Sequence, residues 1–290
     1  VLHKMFIAAA NRRPANTNVK PDGIYVLDLT TMAPPHRLAT TYTRGLHPHG
    51  LSLWREDTLL YLYVVNHIVE GDFVEKFLYT GSDTLQHLAS YSSPLMCCLN
   101  DVTATGPSSF YATNDHGSRA GFSRKMEDYL NIGRASVVYF DGSQYHKVAR
   151  HLNYANGIYY DRRHDKLYVA TTTGKALLSF TIEADGGLAR EYVLDLETGL
   201  DNIDIDRQGN LWIAAHPKML NFLKHAADST NFSPSQVVKL TPSEEGFDVE
   251  DVYINDGSEF SASSVAVSTG TELFIGGVFD HKLLRIKLNK

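Results

Sequence analysis

Three asparagines stand at the heads of short apolar runs, in the settings Leu99-Asn100-Asp101, Ala155-Asn156-Gly157 and Asp201-Asn202-Ile203. With Asp201 beside the last of them, they offer hard amide and carboxylate oxygens. Donors of this kind suit calcium, which takes about six to eight oxygens, and suit zinc poorly, because zinc prefers Cys and His. An isolated Asn-Gly marks no more than a turn; three asparagines at one repeat position point to a metal. A second constellation is histidine. His49 heads one run and His67 ends the next, so that one imidazole can orient the other as a base. His116 and His216 close equivalent runs, where each either lines a pocket or satisfies a backbone carbonyl. No Gly-x-Ser-x-Gly elbow, phosphate loop or dinucleotide fingerprint occurs. Ser261, Ser263 and Ser264 fall in a Ser-Ala-Ser-Ser run that reads as a strand entry, which leaves no marked nucleophile.

The elements that must carry these residues are short β runs separated by turn residues, with almost no helical periodicity. An alternating run spans Gly23–Leu29 and recurs at Phe73–Tyr79, Ser136–Phe140, Leu177–Ile182, Gln236–Leu240 and Lys282–Leu288, six times in all. A second, aromatic-aliphatic run recurs at Leu60–His67, Ser109–His116, Lys166–Thr172, Asn210–His216 and Glu272–Val278. A third precedes each of these and begins at His49, Asn100, Asn156, Asn202 and Ser264. Their spacing of roughly 50 residues, with about four strands per unit, is that of propeller blades. The expected fold is all-β, a single six-bladed β-propeller over residues 1–290 with four-stranded blades. Only five polar-headed inner strands are present, so the first blade is expected to lack its inner strand, which would lie ahead of Val1. In a propeller the inner strand starts at the face to which the next strand returns. The polar heads and the histidine ends must therefore meet on one face. Gly117–Arg134 and Pro217–Pro234 are longer connections, of the kind that form lids or binding loops, with short helical turns expected at Met126–Leu130 and Met219–Ala227.

Composition narrows the function. At 290 residues and 43% hydrophobic the chain can bury a large core, and a net charge of −6 leaves no basic footprint for nucleic acid. The longest apolar runs, such as Leu59–Val65, are too short to span a bilayer. The first residues carry no signal-peptide pattern; a segment ahead of Val1 would make the protein secreted or membrane-anchored, and otherwise it is read as cytoplasmic. Cys97 and Cys98, the only two cysteines, are adjacent and poorly placed to bond each other. They are read as small apolar residues entering a strand.

At these residues the chain resembles the serum paraoxonase/arylesterase family. The matching segments include His47-Pro48-His49-Gly50, Tyr63-Val64-Val65-Asn66-His67, Leu99-Asn100-Asp101-Val102, Thr113-Asn114-Asp115-His116, Tyr154-Ala155-Asn156-Gly157-Ile158, Asp201-Asn202-Ile203 and Ile275-Gly276-Gly277-Val278-Phe279. They run in order from about Phe6 to Leu288. The resemblance implies a six-bladed propeller with two calcium ions in its channel. By motif, the catalytic ion would use Asn100, Asn156, Asp201 and Asn202. The structural ion would use Asp101 and the backbone carbonyl of Leu51. His49 and His67 match the family's histidine dyad, and His116 matches a pocket-side histidine. Two departures stand out: the family's Glu-Asp pair from the first inner strand and its disulfide have no counterpart here.

The resulting expectation is calcium-assisted hydrolysis of lactones and aryl esters, with His49, oriented by His67, handling the water proton. Tyr154, His216 and Phe222 are expected along the pocket by position. Two other readings remain open: a gluconolactonase-like sugar lactonase, which the His-Pro-His-Gly and Asn-Asp-His segments fit poorly, and a non-catalytic propeller that uses calcium as a plug and its face to bind a partner.

Overall fold

The computed structural model describes residues 3–13, 20–119, 124, 127 and 132–288. Its strands form six sheets. The first holds β1 (Lys4–Ala9), β2 (Gly23–Asp28) and β3 (His36–Arg37). The second is built from β5 (Pro48–Glu56), β6 (Leu59–Ile68), β7 (Gly71–Tyr79) and β8 (Thr84–Tyr91), with β4 (Ala39–Thr40) added in parallel at its outer edge. The third runs β9 (Leu99–Ala104), β10 (Phe110–Asn114), β11 (Ala135–Phe140) and β12 (Tyr145–Leu152). The fourth runs β13 (Ala155–Asp161), β14 (Lys166–Thr171), β15 (Ala176–Ile182) and β16 (Leu188–Asp195). The fifth runs β17 (Gly199–Ile205), β18 (Leu211–His216), β19 (Ser235–Ser243) and β20 (Gly246–Asn255), and the sixth β21 (Ser263–Ser268), β22 (Glu272–Gly277) and β23 (Leu283–Lys287). Apart from the parallel β4, each sheet is an antiparallel meander, and successive inner strands β5, β9, β13, β17 and β21 pack side by side around an axis. This is a six-bladed β-propeller.

The blades depart from a uniform four strands. The first and last have three each, and the second gains β4. In the first sheet no strand lies between β1 and the axis among the described residues, as the count of inner strands anticipates. The consequence shows in burial. The second strands β10, β14 and β18 are almost wholly buried and β6 is mostly so, whereas all six residues of β1 are half-exposed and line the channel.

The core lies between blades. Tyr63, Val65 and Val74 of the second blade pack on Val102, Phe110 and Val138 of the third. Equivalent clusters join first to second, third to fourth, fourth to fifth, and fifth to sixth. Each fully buried aliphatic side chain contributes roughly 1.5–3 kcal/mol, so the interblade seams hold the ring together. At the remaining seam, Arg13 reaches across: Nη2 donates to His225 O at 2.6 Å and the guanidinium lies 4.4 Å over the Phe279 ring.

The connection after β18 forms α1 (Met219–Ala227), the helical turn expected there. The turn expected at Met126–Leu130 falls, apart from the helical Glu127, outside the described residues. Cys97 and Cys98 are unbonded and lead into β9. No helix among the described residues is long and apolar enough to cross a membrane.

Candidate active site

Each inner strand breaks its ladder at its head, and the break places the chemistry. Pro48 pairs with Asn66 and Leu51 with Val64, leaving His49-Gly50 opposite the single residue Val65. Asn100-Asp101 face Thr113, Asn156-Gly157 face Ala170, and Asp201-Asn202 face Ala214 in the same two-to-one fashion. A bulge of this kind re-aims side chains and bends the strand. Four blades thus bring polar side chains to one cavity, one each from the second and fourth blades and two each from the third and fifth. The glycines let successive bulges nest. A Cβ on Gly50 would stand 2.2 Å from Asp101 Oδ1 and 2.5 Å from Asp101 Cα, and one on Gly157 would stand 2.5 Å from Asp201 O.

These bulges open into a channel cavity of about 2110 Å³. Eleven of the twelve sequence-derived site residues line it: His49, Leu51, Asn100, Asp101, His116, Tyr154, Asn156, Asp201, Asn202, His216 and Phe222; His67 lies behind, in contact with His49. Asn156 donates its amide Nδ2 to Thr172 Oγ1 at 3.0 Å, and Thr172 in turn donates to Leu200 O. That fixes which end of the amide is the oxygen. Asn156 Oδ1 and Asn100 Oδ1 are both buried and receive no hydrogen bond. Asn202 Nδ2 donates to Asp201 Oδ1 at 3.1 Å and to Ser264 O at 3.0 Å.

The carboxylates are also held. Asp201 Oδ2 meets His216 Nε2 at 2.9 Å. Asp101 accepts from Val102 N at 2.8 Å and, across the blade boundary, from Ile158 N at 3.0 Å. Burial nevertheless pushes the Asp101 carboxyl up to about 7, and nearby Asp201 adds to the rise. Asp204, further along β17, is likewise raised to about 7 by burial. Carboxylates and bare amide oxygens around a common space are what a hard divalent cation neutralises. The donor set therefore fits calcium. Among the described residues, no group of three or more His, Cys, Asp or Glu side chains is arranged to hold a metal, and the candidate donors here are largely asparagine amides.

His49 and His67 meet as expected, with Nδ1 of His49 3.1 Å from Nε2 of His67. Burial holds His49 well below the ordinary imidazole value, helped by the charges of Arg12, His67 and His47. Burial and these neighbours alike disfavour the protonated imidazolium. His116 and His216 each meet a carboxylate: His116 Nδ1 lies 2.8 Å from Asp115 Oδ1, and His216 is paired with Asp201. Each also meets an aromatic ring, His116 edge-on to Tyr154 at 4.9 Å and His216 against Phe222 at 4.3 Å.

Two residues escaped the sequence reading. Asp72 accepts from His67 Nδ1 at 2.8 Å. Arg12 donates from Nη2 to Pro48 O at 3.0 Å and lines the cavity. Neither occupies a position that repeats between blades, so periodicity carries no signal for them. A Ser90–His87–Glu75 contact elsewhere on the second blade is no nucleophile relay, since Ser90 Oγ and Glu75 Oε2 approach the same nitrogen, His87 Nε2, at 3.2 and 2.9 Å.

A family model described as arylesterase matches residues 13–288 of this sequence. The chain belongs to the arylesterase family. It is 34% identical over 278 residues to human serum paraoxonase/arylesterase 2, covering 93% of this chain and 77% of that protein. It is 32% identical over 273 residues to rat serum paraoxonase/arylesterase 1, covering 91% and 76%. Arylesterase family membership puts the chain among hydrolases of the esterase and lactonase type. Among solved structures, the periplasmic gluconolactonase of Pseudomonas aeruginosa superposes with a TM-score of 0.59 at 12% identity, over 99% of this chain and 78% of that one. At that identity the likeness concerns the fold.

Proposed function

We propose that this arylesterase-family chain is a calcium-dependent hydrolase of lactones and aryl esters. The observation that carries the reading is the pair of buried, unsatisfied amide oxygens, Asn100 Oδ1 and Asn156 Oδ1, at the heads of neighbouring inner strands. A buried acceptor without a donor costs about 1–3 kcal/mol, a cost that a bound cation removes. Asn100, Asn156, Asp201 and Asn202 would hold a catalytic calcium ion, and Asp101 with the Leu51 carbonyl a structural one. When bound, the catalytic ion supplies an electrophile for the substrate's carbonyl oxygen.

The chain's own residues handle the proton. His49 takes a proton from water as the water oxygen bonds to the carbonyl carbon. The ester C–O bond then breaks, and His49 returns that proton to the departing alkoxide or phenoxide oxygen. His67 holds the His49 ring in place through the contact between their nitrogens. The Tyr154 and Phe222 rings, packed on His116 and His216, would give the cavity aromatic surface against which an aryl or acyl group can lie.

The test is turnover of phenyl acetate and of a δ-lactone before and after exhaustive chelation. Activity is expected to vanish with the metal and to return on adding calcium. Full turnover by the chelated protein contradicts the proposal.

A further inference from the structure

We infer that Asp72 is a positioning residue whose carboxylate sets the direction of the histidine hydrogen-bond chain, leaving His49 Nε2 bare as the proton acceptor. The inference rests on the reading of His49 as base.

Asp72 stands directly opposite His67 in the β6–β7 ladder, and its side chain is only 16% exposed. An ionised carboxylate accepts hydrogen bonds and donates none. His67 Nδ1, 2.8 Å from Asp72 Oδ1, must therefore carry the hydrogen. In a neutral ring, His67 Nε2 is then the acceptor. His49 Nδ1, 3.1 Å away, has to be the donor. The remaining nitrogen of His49 is left with its lone pair. One acidic residue thus propagates a tautomer through two rings.

The other oxygen of Asp72 accepts from Leu99 N at 3.4 Å. Leu99 immediately precedes Asn100 and Asp101. The same carboxylate therefore ties the histidine chain to the bulge that presents the metal-type oxygens, and does so across a blade boundary.

Replacing the carboxylate by an amide permits the opposite polarity. The amide nitrogen can donate to His67 Nδ1, which puts the hydrogen on His67 Nε2 and turns His49 Nε2 into a donor. Asp72→Asn is accordingly expected to lower kcat by ~10²-fold or more, within the range of general-base contributions, with KM little changed. Asp72→Glu is expected to recover part of the rate. The double variant His49→Gln/Asp72→Asn should be no slower than His49→Gln alone, because groups acting as one unit are not additive.

Wild-type kcat in Asp72→Asn, or losses that multiply in the double variant, overturns the assignment. If His49→Gln itself keeps full kcat, the base reading fails, which is a different outcome. A readout independent of folding by any variant is the ring-nitrogen NMR of isotope-labelled histidine in the wild-type protein. Hydrogens on Nδ1 of both His67 and His49 are expected; an Nε2-protonated His49 overturns the inference.

Discussion

A methyl group added at residue 50 would sit 2.2 Å from Asp101 Oδ1 and 2.5 Å from Asp101 Cα, and a backbone carbon cannot swing aside. Overpacking of this kind costs about 1–3 kcal/mol, so Gly50→Ala is expected to lower the midpoint of thermal unfolding measurably. It should also impair turnover, since the displaced residue lies next to Asn100. An unchanged melting temperature would show that the two bulges do not nest as described. The asparagines, Asp201 and the histidine pair were legible in the sequence because they repeat at one position of several blades or close equivalent runs. Gly50 was legible only as part of a motif. Its reason, the approach of the next blade, is a contact between segments about 50 residues apart. Asp72 was not legible at all: it is the second residue of β7, just after a hairpin turn, where an acidic residue ordinarily marks nothing more than solvent.

At the scale of elements, the hairpin between β17 and β18 is organised by one buried carboxylate. Asp206 accepts from Gln208 N and Asn210 N at 2.9 Å, from Asn210 Nδ2 at 2.8 Å and from Trp212 Nε1 at 2.9 Å. Burial pushes its pKa up, but the hydrogen bonds from Asn210, Trp212 and Gln208 outweigh this and the net displacement is downward. With the folded value below the unfolded one, the carboxylate's contribution is fully present above about pH 4 and is lost as pH falls through the folded value. Asp206→Asn is therefore expected to lower stability at neutral pH and to flatten the acid limb of the stability curve. Parallel acid limbs in denaturant titrations of the two proteins would refute that. The first three strands of the second to sixth blades were readable from their apolar or alternating pattern, and in the first blade only β2 was. The fourth strands β8, β16 and β20 were not, because they are mostly solvent-exposed and keep too few apolar residues to show a period. α1 was readable at Met219–Ala227; its pairing of Phe222 with His216 was not.

Across the whole molecule, five apolar clusters join consecutive blades from first to sixth. The channel between them is lined by oxygens that lack partners and by carboxylates whose charge burial opposes. A cation held there would draw on the third, fourth and fifth blades at once and tie their inner strands together. Ligand bound only by the folded state adds stability, about 2.7 kcal/mol at a hundredfold excess over Kd. Chelation is thus expected to lower the melting temperature and calcium to restore it; a melting temperature indifferent to both would separate the fold from the metal. The number of blades was countable from the six alternating runs, and the three-stranded first blade from the five polar-headed ones; the three strands of the last blade were not anticipated. The channel's width was not, because it depends on how far the half-exposed β1 lies from the axis. The most direct test of the account is calorimetric titration of calcium into metal-free wild-type protein and into Asn156→Ala. Two bound ions are predicted for the wild type, with the loss or marked weakening of one in the variant. Identical binding by both would contradict the shared-ion geometry on which the proposed chemistry depends.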